Sequence, residues 1–169
     1  MSRPRTFDKD KTLEKILRLV WAHGSSGLSL DDIARQLKLS KTSLYSAFGN
    51  KNSLLSQCLE LYERQYEQPM LASFNGENIS DCIRNFLDFS SQRFSSPGSP
   101  PGCFMFNCSI EGESLNDEFK LKVEQNISAF KATIKARVVA LAAEQVSDRD
   151  PRYIDNIVDL VIVNLFGLA

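Results

Sequence analysis

The chain has 169 residues, 43% of them apolar and 24% charged, with a formal net charge of −1. That length covers one domain or two small ones, and the apolar share suits a packed core, not a disordered chain. There is no charged-then-apolar leader and no long unbroken apolar span, which argues against a signal peptide and a membrane helix and makes a soluble cytoplasmic protein the default expectation.

The first predicted helix runs from about Lys9 to His23. Leu13, Ile16, Leu17 and Val20 fall on one face, Trp21 lies at its edge, and Gly24 ends it. Ser29-x-x-Asp32 then has the spacing of a capping box. Asp31 and Asp32 suit the positive end of a helix dipole. Leu30, Ile33, Ala34 and Leu37 supply the buried face of this second helix, while Arg35, Gln36 and Lys38 fall outside it. Leu39 plugs a short turn, and Ser40 caps a third helix. In that helix Leu44, Ala47 and Phe48 point inward, leaving Lys41, Thr42, Ser43, Tyr45 and Ser46 outside. Gly49 stops it. Asn50 caps the next helix, and Lys51 sits at its N-terminus, where backbone N–H groups and a cation together favour a phosphate.

Helix, tight turn, helix is the layout of a helix-turn-helix DNA reader, and short polar side chains on an exposed helix suit a major groove. The same capped amphipathic helices also fit any all-α protein. Charge distribution favours the DNA reading. Residues 1–54 hold ten Lys/Arg against five Asp/Glu, a net of +5; residues 55–169 hold ten against sixteen, a net of −6. Basic charge therefore collects where counterion release from DNA requires it. Lys38 stands where glycine would relieve a left-handed backbone.

A long fourth helix is expected from Lys51 toward Ser73, bent or ended early by Pro69. Gly76–Asn78 is a break, and Ser80 is expected to cap a fifth helix carrying Ile83, Phe86, Leu87, Ser90 and Phe94. Ser95–Gly102 is a loop by composition. A short helix over Phe104–Glu111 and a long one from Leu115 to about Gln145 follow. Phe119, Val123, Ile127, Phe130, Ile134 and Val138 line the long helix's inner face. Ser147 and Asp148 start a break, and Pro151 helps open a final helix. Phe86, Phe89, Phe104, Phe106 and Phe130 line either a cavity between helices or plain core. The Asn107 amide and the Cys103 thiol are the candidate polar groups of such a cavity.

Four cysteines and one histidine, without a C-x-x-C pair, do not make metal-ligand spacing, so no metal or cofactor is expected. Cys103 and Cys108 fit either a thiol sensor or small buried hydrophobes. No nucleophile–base pair stands out, so no enzyme is expected.

At Arg3-Pro4-Arg5-x-Phe7-Asp8, Leu17–Gly24 and Leu28–Leu55, the sequence resembles the TetR/AcrR family of transcriptional regulators. The match is strongest at Ser43-Leu44-Tyr45-x-x-Phe48-Gly49-Asn50-Lys51-x-x-Leu54, and Pro101-Gly102-Cys103 with Asn107 is similar to a segment opening the sixth helix in one branch. Two positions depart from the pattern: Ser25, where an aromatic is common, and Lys38, where a glycine is usual.

The resemblance implies an all-α fold, with a helix-turn-helix domain over 1–54 and a helical ligand-binding and dimerisation domain over 55–169. It implies that Tyr45 and Lys51 hold phosphates. Lys41, Thr42, Ser43 and Ser46 face bases or nearby backbone, Ser29 meets a phosphate, and Arg3 and Arg5 form a basic arm. It also implies a small-molecule site, for which Phe86, Phe89, Cys103, Phe104, Asn107 and Phe130 are the candidates. Two copies would join through C-terminal helices on a palindromic operator. Because Val158, Val161, Ile162, Leu165, Phe166 and Leu168 run apolar to the end, the chain is expected to stop inside the first of those helices. The function expected is a repressor released by a ligand. A regulator switched through Cys103 and Cys108, and a helical small-molecule binder without DNA affinity, are the alternatives.

Overall fold

A computed structural model describes residues 7–111, 115–145 and 151–168, and among these all regular structure is helical. The helices are α1 (Lys9–His23), α2 (Leu30–Leu37), α3 (Lys41–Phe48), α4 (Lys51–Tyr62), α5 (Gln68–Ser73), α6 (Ile79–Phe94), α7 (Phe104–Glu111), α8 (Asp117–Gln145) and α9 (Pro151–Leu168), with a π-helical stretch over Glu63–Glu67. Arg3, Arg5, Ser147 and Asp148 lie outside the described residues.

Packing groups the described helices into two compact units. One comprises the chain up to Glu63 together with Phe104–Val123; the other comprises Arg64–Cys103 and the chain from Glu124 onward. This grouping differs from the linear division at residue 54, because α7 and the start of α8 complete the core of the first unit. The Phe104 ring lies 6.1 Å from Trp21 and 5.5 Å from Tyr62, and Trp21 meets Tyr62 edge-on at 5.1 Å. Asn116 donates to Asn52 Oδ1 at 2.7 Å, and Lys122 Nζ to Ser56 Oγ at 3.0 Å. These bonds tie the first turns of α8 to α4.

Within the first unit, α1 packs on α4 and α2, and α3 packs on α2 and α4. Ile16, Leu17, Ile33, Leu44, Phe48 and Leu54 are all at most 1% exposed. Each such side chain contributes about 1.5–3 kcal/mol through burial. In the second unit α6 packs on α5 and α9. Phe86 meets Phe74 edge-on at 5.7 Å and lies 6.3 Å from Phe130.

Three boundaries depart from expectation, each for a local reason. Asn78, not Ser80, caps α6: its backbone is extended, and its Oδ1 accepts the Asp81 N–H at 2.9 Å. Asn116 delays α8 by accepting the Phe119 N–H at 3.0 Å. The fourth helix changes winding over Glu63–Glu67 before Pro69, which then sits in the first turn of α5, where its missing N–H goes unneeded.

Candidate nucleic-acid interface

Four backbone caps build the reading head. Asp8 Oδ1 accepts the Lys11 N–H at 3.1 Å and starts α1. Ser29 and Asp32 form the reciprocal box foreseen from their spacing: Ser29 Oγ accepts the Asp32 N–H at 3.1 Å, and Asp32 Oδ2 accepts the Ser29 N–H at 3.1 Å. The Ser29 hydroxyl also donates to Asp32 Oδ2. The hydrogen bonds from the Ser29 side chain and backbone hold the Asp32 carboxyl below its ordinary range. Ser40 Oγ accepts the Ser43 N–H at 3.1 Å, and Asn50 Oδ1 the Ser53 N–H at 2.9 Å, starting α3 and α4.

The turn between α2 and α3 is a Schellman motif. Lys38 adopts φ 55°, ψ 39°, its N–H donates to Arg35 O at 3.2 Å, and the Leu39 N–H donates to Ala34 O at 2.9 Å. Lys38 is the one non-glycine residue with positive φ among those described. It takes up the conformation that glycine would adopt without strain. At the far end of α3, the Gln57 side-chain amide donates to Phe48 O at 3.0 Å, satisfying a terminal carbonyl.

Leu44 and Phe48 anchor α3 inward, at 0% and 1% exposure. Lys41, Thr42, Tyr45 and Ser46 are exposed, while Ser43 and Lys51 are half-buried. Ser29, Lys41, Tyr45 and Lys51 converge on an open cleft of about 650 Å³, which Ser26 and Asp31 also line. Thr42, Ser43 and Ser46 stand on α3 outside that cleft. Asp31, whose position in the sequence marks only the first turn of α2, also belongs to this face. Its carboxylate meets Lys41 Nζ at 2.8 and 2.9 Å, and this hydrogen bond raises the ammonium's pKa above its ordinary value. The pair joins α2 to α3 across ten residues, a spacing without a local sequence signature.

Ser25, which departs from the family's aromatic, is 1% exposed. Its hydroxyl donates to Glu111 Oε2 at 2.6 Å and its N–H to Glu111 Oε1 at 2.9 Å. Hydrogen bonding thus fills the corner that packing would otherwise fill.

The six residues expected at a ligand site are divided between the units. Phe104 and Asn107 belong to the first, where Phe104 is 1% exposed in the aromatic core. Phe86, Phe89, Cys103 and Phe130 belong to the second, with Phe89 half-buried and the other three buried. All four cysteines are reduced and buried. Burial, followed by the neighbouring Cys108 thiol, pushes the Cys58 thiol far above its ordinary range.

The described residues thus form a capped helix-turn-helix carrying hydroxyls, a tyrosine and two lysines on one face, an architecture found in DNA-binding proteins. Residues 13–58 match the model of bacterial regulatory proteins of the tetR family. The chain is 30% identical over 107 residues to the HTH-type transcriptional repressor ComR of Escherichia coli (strain K12), a stretch covering 62% of this chain and 51% of that repressor. The chain spans about half the length of the curated relatives it matches. In structure it is similar to a cysteine mutant of the TetR family transcriptional regulator CifR complexed with 26 bp double-strand operator DNA. There the TM-score is 0.81 and the identity 24%, covering 99% of this chain and 87% of that one. It is also similar to AibR in complex with isovaleryl coenzyme A and operator DNA, with a TM-score of 0.62 and 19% identity over 91% of this chain and 83% of that one. The family match thus falls on the segment holding α2, α3 and most of α1 and α4.

Proposed function

We propose that this protein is a sequence-specific DNA-binding transcriptional regulator, a repressor released from a palindromic operator by a small-molecule ligand. The observation that carries this reading is the convergence of Ser29, Lys41, Tyr45 and Lys51 on one open face of the helix-turn-helix. Tyr45 and Lys51 hold phosphates, with the α4 N-terminus adding its dipole at Lys51. Lys41, Thr42, Ser43 and Ser46 read base edges or the adjacent backbone, Ser29 meets a phosphate, and Arg3 and Arg5 form the basic arm. ComR's description as a repressor and the operator complex of CifR support the same reading.

Two copies, joined through their C-terminal helices, place two copies of α3 in successive major grooves. Leu160 and Val163 of α9, at 57% and 67% exposure, are apolar surface suited to such a contact. The effector binds in the second helical unit, with Phe86, Phe89, Cys103 and Phe130 as its candidate contacts, whereas Phe104 and Asn107 belong to the first unit. It acts by binding one conformer more tightly than the other. AibR's acyl-coenzyme A complex is a precedent for ligand binding on this fold. Among the described residues no helix is long and apolar enough to cross a membrane, which accords with work in the cytoplasm.

Two substitutions test the face. Tyr45→Phe should weaken binding across all DNA sequences, as loss of a phosphate contact does. Thr42→Ala should shift preference at particular base pairs. Unchanged binding in both would remove α3 from the groove.

A further inference from the structure

Glu111 ends α7, and its carboxylate is directed at the corner between α1 and α2. It accepts the Ser25 N–H at 2.9 Å, the Ser25 hydroxyl at 2.6 Å and the Ser26 N–H at 2.7 Å. The corner is shaped around it. Gly24 has φ +85°, and a Cβ added there would lie 3.1 Å from Glu111 Oε1. Burial pushes the Glu111 carboxyl up, but hydrogen bonds from Ser25 and Ser26 outweigh it and hold the group below its ordinary range. The carboxylate is therefore charged at neutral pH, and charge-assisted bonds of this kind are about twice as strong as neutral ones.

The same corner reaches the DNA-facing cleft. Ser26, gripped by Glu111 at its N–H, accepts Lys51 Nζ at its carbonyl at 3.4 Å. Ser26 and Lys51 both line the cleft. One peptide segment thus joins the carboxylate of α7 to the lysine at the start of α4.

We propose that Glu111 is a positioning residue for DNA binding, its carboxylate fixing the α1–α2 corner so that the Ser26 carbonyl holds the Lys51 ammonium toward phosphate. The inference rests on the reading of this protein as a DNA-binding regulator. Glu111 itself touches no DNA in this scheme; it acts through Ser26 and Lys51. A purely structural carboxylate would lower stability without changing how many phosphates the protein neutralises.

The test is fluorescence anisotropy of the full chain with a labelled duplex of random sequence at several salt concentrations. The proteins are wild type, Lys51→Ala, Glu111→Ala, Glu111→Gln and the double variant Glu111→Ala/Lys51→Ala. Losing one phosphate contact makes the slope of log affinity against log salt shallower by about 0.9. The expected result is that Lys51→Ala and Glu111→Ala lose this same increment. The double variant should then bind no more weakly than Lys51→Ala alone, and Glu111→Gln should fall between wild type and Glu111→Ala. A wild-type slope in Glu111→Ala, or losses that multiply in the double variant, overturns the proposal. Should Glu111→Ala fail to fold, Ser25→Ala, which removes only the hydroxyl donor, is compared with Lys51→Ala in the same way. Wild type without salt-dependent binding overturns the regulator reading as well, whereas steep wild-type binding with independent variants overturns the Glu111 role alone.

Discussion

Replacing Lys38 by glycine should stabilise the protein. Lys38 sits at φ 55°, ψ 39°, where a side chain's Cβ crowds the following carbonyl, at a cost of about 1–2 kcal/mol. Glycine removes that crowding but adds freedom to the unfolded chain, returning about 0.4–1 kcal/mol. The two bonds of the turn, from the Lys38 N–H to Arg35 O and from the Leu39 N–H to Ala34 O, are backbone bonds and survive the change. The net gain is roughly 0.5–1 kcal/mol, or about 1–4 °C in Tm for a chain of this size. Lys38 is exposed and cationic, so charge loss must be separated from backbone relief. Lys38→Ala does this, since it drops the charge and keeps the Cβ. Thermal and urea melts followed by helical circular dichroism should place Lys38→Gly above Lys38→Ala. Equal stability of the two would refute the strain argument.

Three further outcomes are expected. Leu44→Ala removes a fully buried side chain from the small core under α3 and should cost about 2–5 kcal/mol, read from urea midpoints, with DNA binding lost in parallel. The depressed Glu111 carboxyl contributes stability that is complete above its unfolded pKa and lost as pH falls through its lower folded value. Wild type should therefore lose more stability than Glu111→Gln when urea melts are repeated from pH 7 down to about pH 3; parallel losses would contradict the hydrogen-bonded assignment. Because all four cysteines are buried, a thiol reagent should label native protein slowly and urea-unfolded protein at once. Rapid native labelling of Cys103 or Cys108 would revive thiol sensing.

Much of the reading head is legible in the sequence because its determinants are local. Ser29 with Asp32, Ser40 with Ser43 and Asn50 with Ser53 are caps spanning three residues, and each forms as its spacing indicates. The buried faces of α1, α2 and α3 follow from helical periodicity, and even the strained Lys38 is visible as a lysine in a glycine's place. What is not legible is nonlocal. Glu111 meets Ser25 across 86 residues, and Phe104 joins Trp21 and Tyr62 from a distant helix. Neither has a spacing to betray it. The phenylalanines illustrate the limit from the other side: apolar helical spacing specifies burial, but not which core each ring enters. Phe104 and Phe86 therefore read alike in sequence, yet they belong to different units.

The most direct measurement is an anisotropy titration of the full chain against a pool of random duplexes at two salt concentrations, with sequencing of the bound fraction. A DNA-reading dimer predicts a palindromic consensus with half-sites one helical turn apart and affinity falling steeply as salt rises. Binding without enrichment, or affinity indifferent to salt, would contradict it.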